Sequence, residues 1–239
     1  MRTAYLVRLI LLVALPACSS GASSGPTVTQ TGTTVDYSPC AEPTPVAGAT
    51  VSVGSQTAMT ASDGTYSIQV PSGSSFTMTV TAANYISLIE AADMVTASYD
   101  RGNTLMISTS TASFLESALP GFDSSASLLT IELVKTGSCT DVTGTTITVS
   151  PTNTSAVTQY PAQCVSPVGG TSATDGVFPS ASAAVVYNLS AGVHTVSASS
   201  PACKQVPYPY KDPTTGLTYE GTVTTQTGNT NAFTRVFLE

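Results

Sequence analysis

The chain is short of the residues that carry most protein chemistry. It has one histidine and no tryptophan in 239 residues. Only 9% of its residues are Asp, Glu, Lys or Arg, against about 25% in an ordinary soluble domain. Basic residues are scarcest: seven face fourteen acidic ones, a net charge of −7 at pH 7. That balance excludes nucleic acid as a partner, because its recognition rests on many Lys and Arg contacts to phosphate. The lone His194 removes most metal centres and most acid–base catalysis, which draw heavily on imidazole. What is abundant is hydroxyl: Ser and Thr make up roughly 30% of the chain. With 41% hydrophobic residues, the chain still has enough apolar side chains to build a core, so the composition is not that of a disordered segment. Its length suits one large domain or two small ones.

The longest apolar run lies at the start. Arg2 and Arg8 precede Leu9-Ile10-Leu11-Leu12-Val13-Ala14-Leu15, too short to cross a bilayer core, which takes about 20 residues. A short positive region followed by such a run has the proportions of an export signal, here residues 1–17. The run ends in Leu15-Pro16-Ala17-Cys18, which resembles the lipobox of bacterial lipoproteins, with Pro16 in place of the usual small residue. The resemblance implies acylation of Cys18 and a membrane partner through that lipid. With Ser19 next, it also implies the outer membrane or cell surface. Cleavage of an ordinary signal peptide after Ala17 is the alternative. Loss of Arg2 and Arg8 leaves five basic and fourteen acidic residues, a net −9, with no Lys or Arg from Ser19 to Asp100. Residues 18–38, rich in Ser, Thr and Gly, read as a flexible tether between lipid and body.

From there period-2 alternation marks β-strands. Tyr66, Ile68 and Val70 share one face, and Phe76-Thr77-Met78-Thr79-Val80-Thr81-Ala82 alternates throughout. Thr is β-branched and supplies a polar outer face without charge, which accounts for its excess. The pattern occurs twice. Gly48-Ala49-Thr50-Val51-Ser52-Val53 aligns with Gly144-Thr145-Thr146-Ile147-Thr148-Val149. Residues 66–73 (YSIQVPSG) align with 185–192 (VVYNLSAG), and Val80-Thr81-Ala82 with Val196-Ser197-Ala198. Self-similarity of this kind implies a duplicated unit.

The first copy, GATVSV from Gly48 through TASDGTYSIQVPSGSSFTMTVTAANY ending at Tyr85, resembles carboxypeptidase regulatory-like domains. These are transthyretin-like β-sandwiches frequent in exported bacterial proteins. The resemblance implies a seven-stranded sandwich serving as a structural or binding accessory, and no activity. The expected architecture is all-β: two tandem transthyretin-like or Ig-like sandwiches, 39–124 and 125–239, with one short helix within 109–119. Leu128–Val134 is expected to open the second unit. Residues 221–225 and 232–238 are expected to close it as a hairpin around Gly228-Asn229.

Four cysteines remain beyond Cys18: Cys40, Cys139, Cys164 and Cys203. An even count in an exported chain favours disulfides, and four cysteines allow three connectivities. Cys164–Cys203 would tie the expanded loops of the second copy, while Cys40–Cys139 would staple the two units together. Zinc is disfavoured, since no CxxC pair occurs.

Enzymes among transthyretin-like sandwiches draw on more than one histidine, so their centres do not transfer here. His194 shares parity with Val196 and Ala198 and reads as an inward residue. The acids Glu90, Asp93, Asp100, Asp212 and Glu220 read as solvated loop residues. No catalytic residue, metal or cofactor is assigned. The one candidate binding surface is the segment 203–219 (CKQVPYPYKDPTTGLTY), where Tyr208, Tyr210 and Tyr219 would stack on sugar or peptide, or else pack the loop onto the body. The functional expectation is a non-catalytic, lipid-anchored envelope protein with a structural or adhesive role, partnered by the membrane and by envelope polysaccharide or protein. The alternative is a carbohydrate- or peptide-binding accessory using the Tyr208–Tyr219 loop.

Overall fold

The computed structural model describes residues 25–37, 42–123, 125–160, 170–174, 182–228 and 230–239. Residues 1–17, expected to be an export signal, and Cys18, Cys40 and Cys164 lie outside the described residues.

The first half runs β1 (Thr27–Asp36), β2 (Thr44–Pro45), β3 (Thr50–Val53), β4 (Gln56–Met59), β5 (Thr65–Pro71), β6 (Ser75–Phe76), β7 (Met78–Thr81), β8 (Ser87–Glu90), β9 (Asp93–Met94), β10 (Tyr99–Met106) and α1 (Thr109–Ala118). The second runs β11 (Ser127–Lys135), β12 (Thr146–Ser150), β13 (Val157–Gln159), β14 (Ser182–Leu189), β15 (Gly192–Ser199), β16 (Tyr210–Lys211), β17 (Thr218–Tyr219), β18 (Thr222–Thr225) and β19 (Thr230–Leu238). The fold is all-β with one helix among the described residues. Ser108 caps that helix by accepting from the Thr111 backbone N–H, and Leu115 is its buried residue. No described helix is long and apolar enough to cross a membrane.

The duplication is visible in the strand pairing. In the first half β1 lies between antiparallel β5 and parallel β10. In the second, β11 lies between antiparallel β14 and parallel β19. Opposite these, β3–β7–β8 and β12–β15–β18 pair antiparallel in the same succession. The copies differ in register: Val51 faces Val80, but Ile147 faces Ala198 and Val149 faces Val196. A two-residue shift leaves each side chain on its own face, because the strand period is two.

Two findings depart from the sequence reading. First, residues 27–36 are not tether. They form β1, with Gln30 and Thr34 fully buried. Second, the C-terminal strands do not make a hairpin. β18 pairs with β15, while β19 pairs in parallel with β11 and with β8 of the first half. One eight-stranded sheet, β13-β14-β11-β19-β8-β7-β3-β4, therefore runs across position 124. β19 is buried on both faces. Ala232, Val236 and Leu238 enter the second half's core, and Phe233 and Phe237 enter the first's. A strand buried on both sides reads as a near-continuous apolar run, as residues 232–238 (AFTRVFL) nearly do.

Candidate functional site

The tyrosine segment crosses the seam between the halves. Cys203 anchors its start through a disulfide to Cys139. Both connectivities favoured by sequence, Cys164–Cys203 and Cys40–Cys139, are thereby excluded, because each needs a sulfur already engaged. The segment then runs beside β19. Lys204 and Glu239 exchange backbone hydrogen bonds, and the Val206 N–H donates to the Phe237 carbonyl at 2.9 Å. Its far end, β17, pairs with β9 of the first half, with Tyr219 opposite Asp93.

The three tyrosines face inward along this path. The Tyr208 hydroxyl donates to the Arg235 carbonyl at 2.5 Å, and its ring lies against Gly221, where a Cβ would collide with it. The Tyr210 and Tyr219 rings each sit 4.5 Å from the Phe237 ring. Burial pushes the Tyr219 hydroxyl up to about 12 and raises Tyr208 as well. Asp212 closes the β16–β17 turn by accepting from the Thr214 N–H and the Thr215 hydroxyl, both at 2.8 Å.

Beneath this segment is a buried charge cluster that sequence reasoning missed. Arg101 donates to Glu90 at 2.8 Å and to Asp93 at 2.6 Å, with all three side chains only 2% exposed. Glu90 and Asp93 are therefore core residues, not solvated loop acids. Burial opposes the Arg101 charge, but Glu90 and Asp93 outweigh it and hold the guanidinium well above its ordinary value. Beside it the Tyr99 hydroxyl donates to Gln30 at 2.6 Å, and the Gln30 amide donates to Tyr66 at 3.0 Å. Across the seam Arg235 donates to Glu132 at 2.8 Å and lies 4.8 Å from the centre of the Phe233 ring. Asp100, by contrast, is exposed and closes a turn by accepting from the Gly102 N–H.

His194 faces inward. Its Nδ1 lies 2.7 Å from the Pro151 carbonyl and its Nε2 lies 3.0 Å from the Thr225 hydroxyl. A hydroxyl beside an imidazole, itself oriented by a carbonyl, has the outline of a nucleophile–base pair. Both residues are 1% exposed, and the arrangement clasps the end of β12 to β15 and β18. A cleft of about 270 Å³ lies beside α1, over Ile86, Leu115, Phe122 and Leu128. None of the tyrosines or the charge cluster lines it.

No family model and no curated protein matches the chain. Among solved structures, an N-terminal interface mutant of a type II cohesin–X-dockerin complex from Acetivibrio cellulolyticus is similar at 24% identity with a TM-score of 0.29, covering 34% of this chain and 58% of that one. A C-terminal interface mutant of the same complex gives 23% identity and 0.30, covering 41% and 65%. The Bacillus anthracis TIE protein gives 11% identity and 0.26, covering 89% of this chain and 34% of that one. The chain thus spans less than two thirds of each of these proteins, and at such TM-scores the likeness says nothing of function.

Proposed function

We propose that this is an exported, non-catalytic protein, lipid-anchored through Cys18 to the bacterial outer membrane or cell surface, with a structural or adhesive role. The observation that carries the reading is Leu15-Pro16-Ala17-Cys18 behind a short apolar run, a few residues ahead of a β-sandwich body. The inward turn of Tyr208, Tyr210 and Tyr219 supports a structural use for the one aromatic segment. The carboxypeptidase regulatory-like resemblance of Gly48–Tyr85 agrees with an accessory of this kind. The partners in this reading are the membrane, through the lipid, and envelope polysaccharide or protein. Cys18→Ser is expected to abolish fatty-acid labelling and release the protein from membranes. Membrane association that persists in the variant overturns the anchor.

A second reading, a carbohydrate- or peptide-binding accessory, is favoured by Tyr210, half-exposed beside the exposed Lys211 at the tip of the segment. Glycan and peptide arrays probed with the wild type and with Tyr210→Ala separate the two. Binding lost in the variant, with its melting temperature kept, supports the accessory. Equal binding by both proteins overturns it.

A further inference from the structure

We propose that the N-terminal end of the first sandwich rests on the lipid headgroup surface, so that the molecule has a fixed membrane-facing end. The inference builds on acylation of Cys18. Because β1 begins at Thr27, only residues 19–26 separate it from that cysteine. Nine chain steps span at most about 30 Å when fully extended.

The end of the body that enters within this reach is well defined. The Ser72 N–H donates to the Pro26 carbonyl, the Thr29 N–H to the Ser98 hydroxyl, and the Gly73 N–H to the Val95 carbonyl. Gly25–Thr27 and the loops 71–75 and 95–98 therefore share one end. Residues 69–75 (QVPSGSS) and 94–99 (MVTASY) contain no charge. The charges closest to these loops are a mixed pair, Lys211 and Asp212 of the β16–β17 turn, which reaches this end through the pairing of Thr218 with Met94; Asp100 pairs with Thr31, four residues along β1. The opposite end of β1 is acidic: Asp36, Glu42 and the Asp63 turn gather there, with Thr34 bonded to Gly64.

β1 itself spans roughly 30 Å from Thr27 to Asp36. An inverted body would put Thr27 about that far from the lipid and would need residues 19–26 fully stretched, at the cost of their conformational freedom. It would also bring three carboxylates to a surface whose anionic lipids repel them. The Thr27 end needs no stretching, and its one acid, Asp212, stands beside Lys211 with its carboxylate bonded within its own turn.

The test is hydrogen exchange on the full chain in bacterial membranes, compared with soluble Cys18→Ser protein. The expected result is several-fold slower exchange at 71–75 and 95–98 in the anchored protein, with 61–64 unchanged. Insertion of twenty Gly and Ser residues after Ser24 should abolish that slowing while fatty-acid labelling is kept. Labelling present with slowing at 61–64, or nowhere, overturns the orientation alone. Labelling absent from the wild type overturns the anchor and the orientation with it.

Discussion

The two halves share a strand plan and differ in what fills it. The second half is closed by Leu129, Ile131, Leu133, Val186, Val196 and Val236, with the Cys139–Cys203 disulfide at its rim. The first half sets Arg101, Glu90, Asp93, Gln30, Tyr66 and Tyr99 into its apolar cluster beside Ile68, Phe76, Met78 and Phe233. One arrangement of strands therefore accepts either filling. The fillings fail differently, however. An apolar core loses stability in proportion to area removed. A buried ion cluster adds little net stability while whole and loses much when one partner is removed.

That difference sets the order of expected effects. Arg101→Ala strands two buried carboxylates and should cost about 3–5 kcal/mol, read as a shift of the urea midpoint. A shift below about 1 kcal/mol would mean that the cluster is solvated. Replacing Cys139 and Cys203 together with Ser opens a loop with a sequence separation of 64 and should cost about 2–4 kcal/mol. An unchanged midpoint would show that the apolar core suffices alone. Gly32→Ala places a Cβ against the Tyr66 hydroxyl and the Gly102 carbonyl, an overpacking worth about 1–3 kcal/mol. Partial rescue by Tyr66→Phe would identify the hydroxyl as the obstacle.

The smallest effect is one of pH. Burial raises Tyr219 from the ordinary 10 to about 12 in the folded chain, so the neutral phenol is favoured by folding. Its contribution is complete below pH 10 and is lost as pH rises toward 12. Ultraviolet titration should show exposed tyrosines ionising first and Tyr219 late. Ionisation of all tyrosines near 10 in folded protein would place the Tyr219 ring in solvent.

The same contrast explains what the sequence could reveal. Strands with apolar inward faces, such as β5 and β7, are legible from alternation. β1 is not, because three of its four buried positions are Gln30, Gly32 and Thr34, with Val35 the one apolar exception. Gln30 and Gly32 are polar or small because they face Tyr66 and Tyr99, and hydrophobic periodicity has no term for such a face. The matching strand β11 was legible as the apolar run Leu128–Val134. Glu90 and Asp93 looked like loop acids because Arg101 reaches them only through folding. Tyr208, Tyr210 and Tyr219 were legible as a cluster. Their direction was not, since it depends on Phe237 and Arg235 of a strand that the sequence placed in a hairpin. Cysteine count foretold a disulfide, while its pairing depended on the return of Cys203 beside the β11–β12 loop.

β19 belongs to both cores and is expected to make the halves one cooperative unit. Hydrogen exchange across a urea series tests it directly, reading amides of β3 and β7 against those of β12 and β15. One shared midpoint is expected, moved together by Phe233→Ala on one face of β19 and by Val236→Ala on the other. Two separate midpoints, each sensitive to only one of these substitutions, would contradict it.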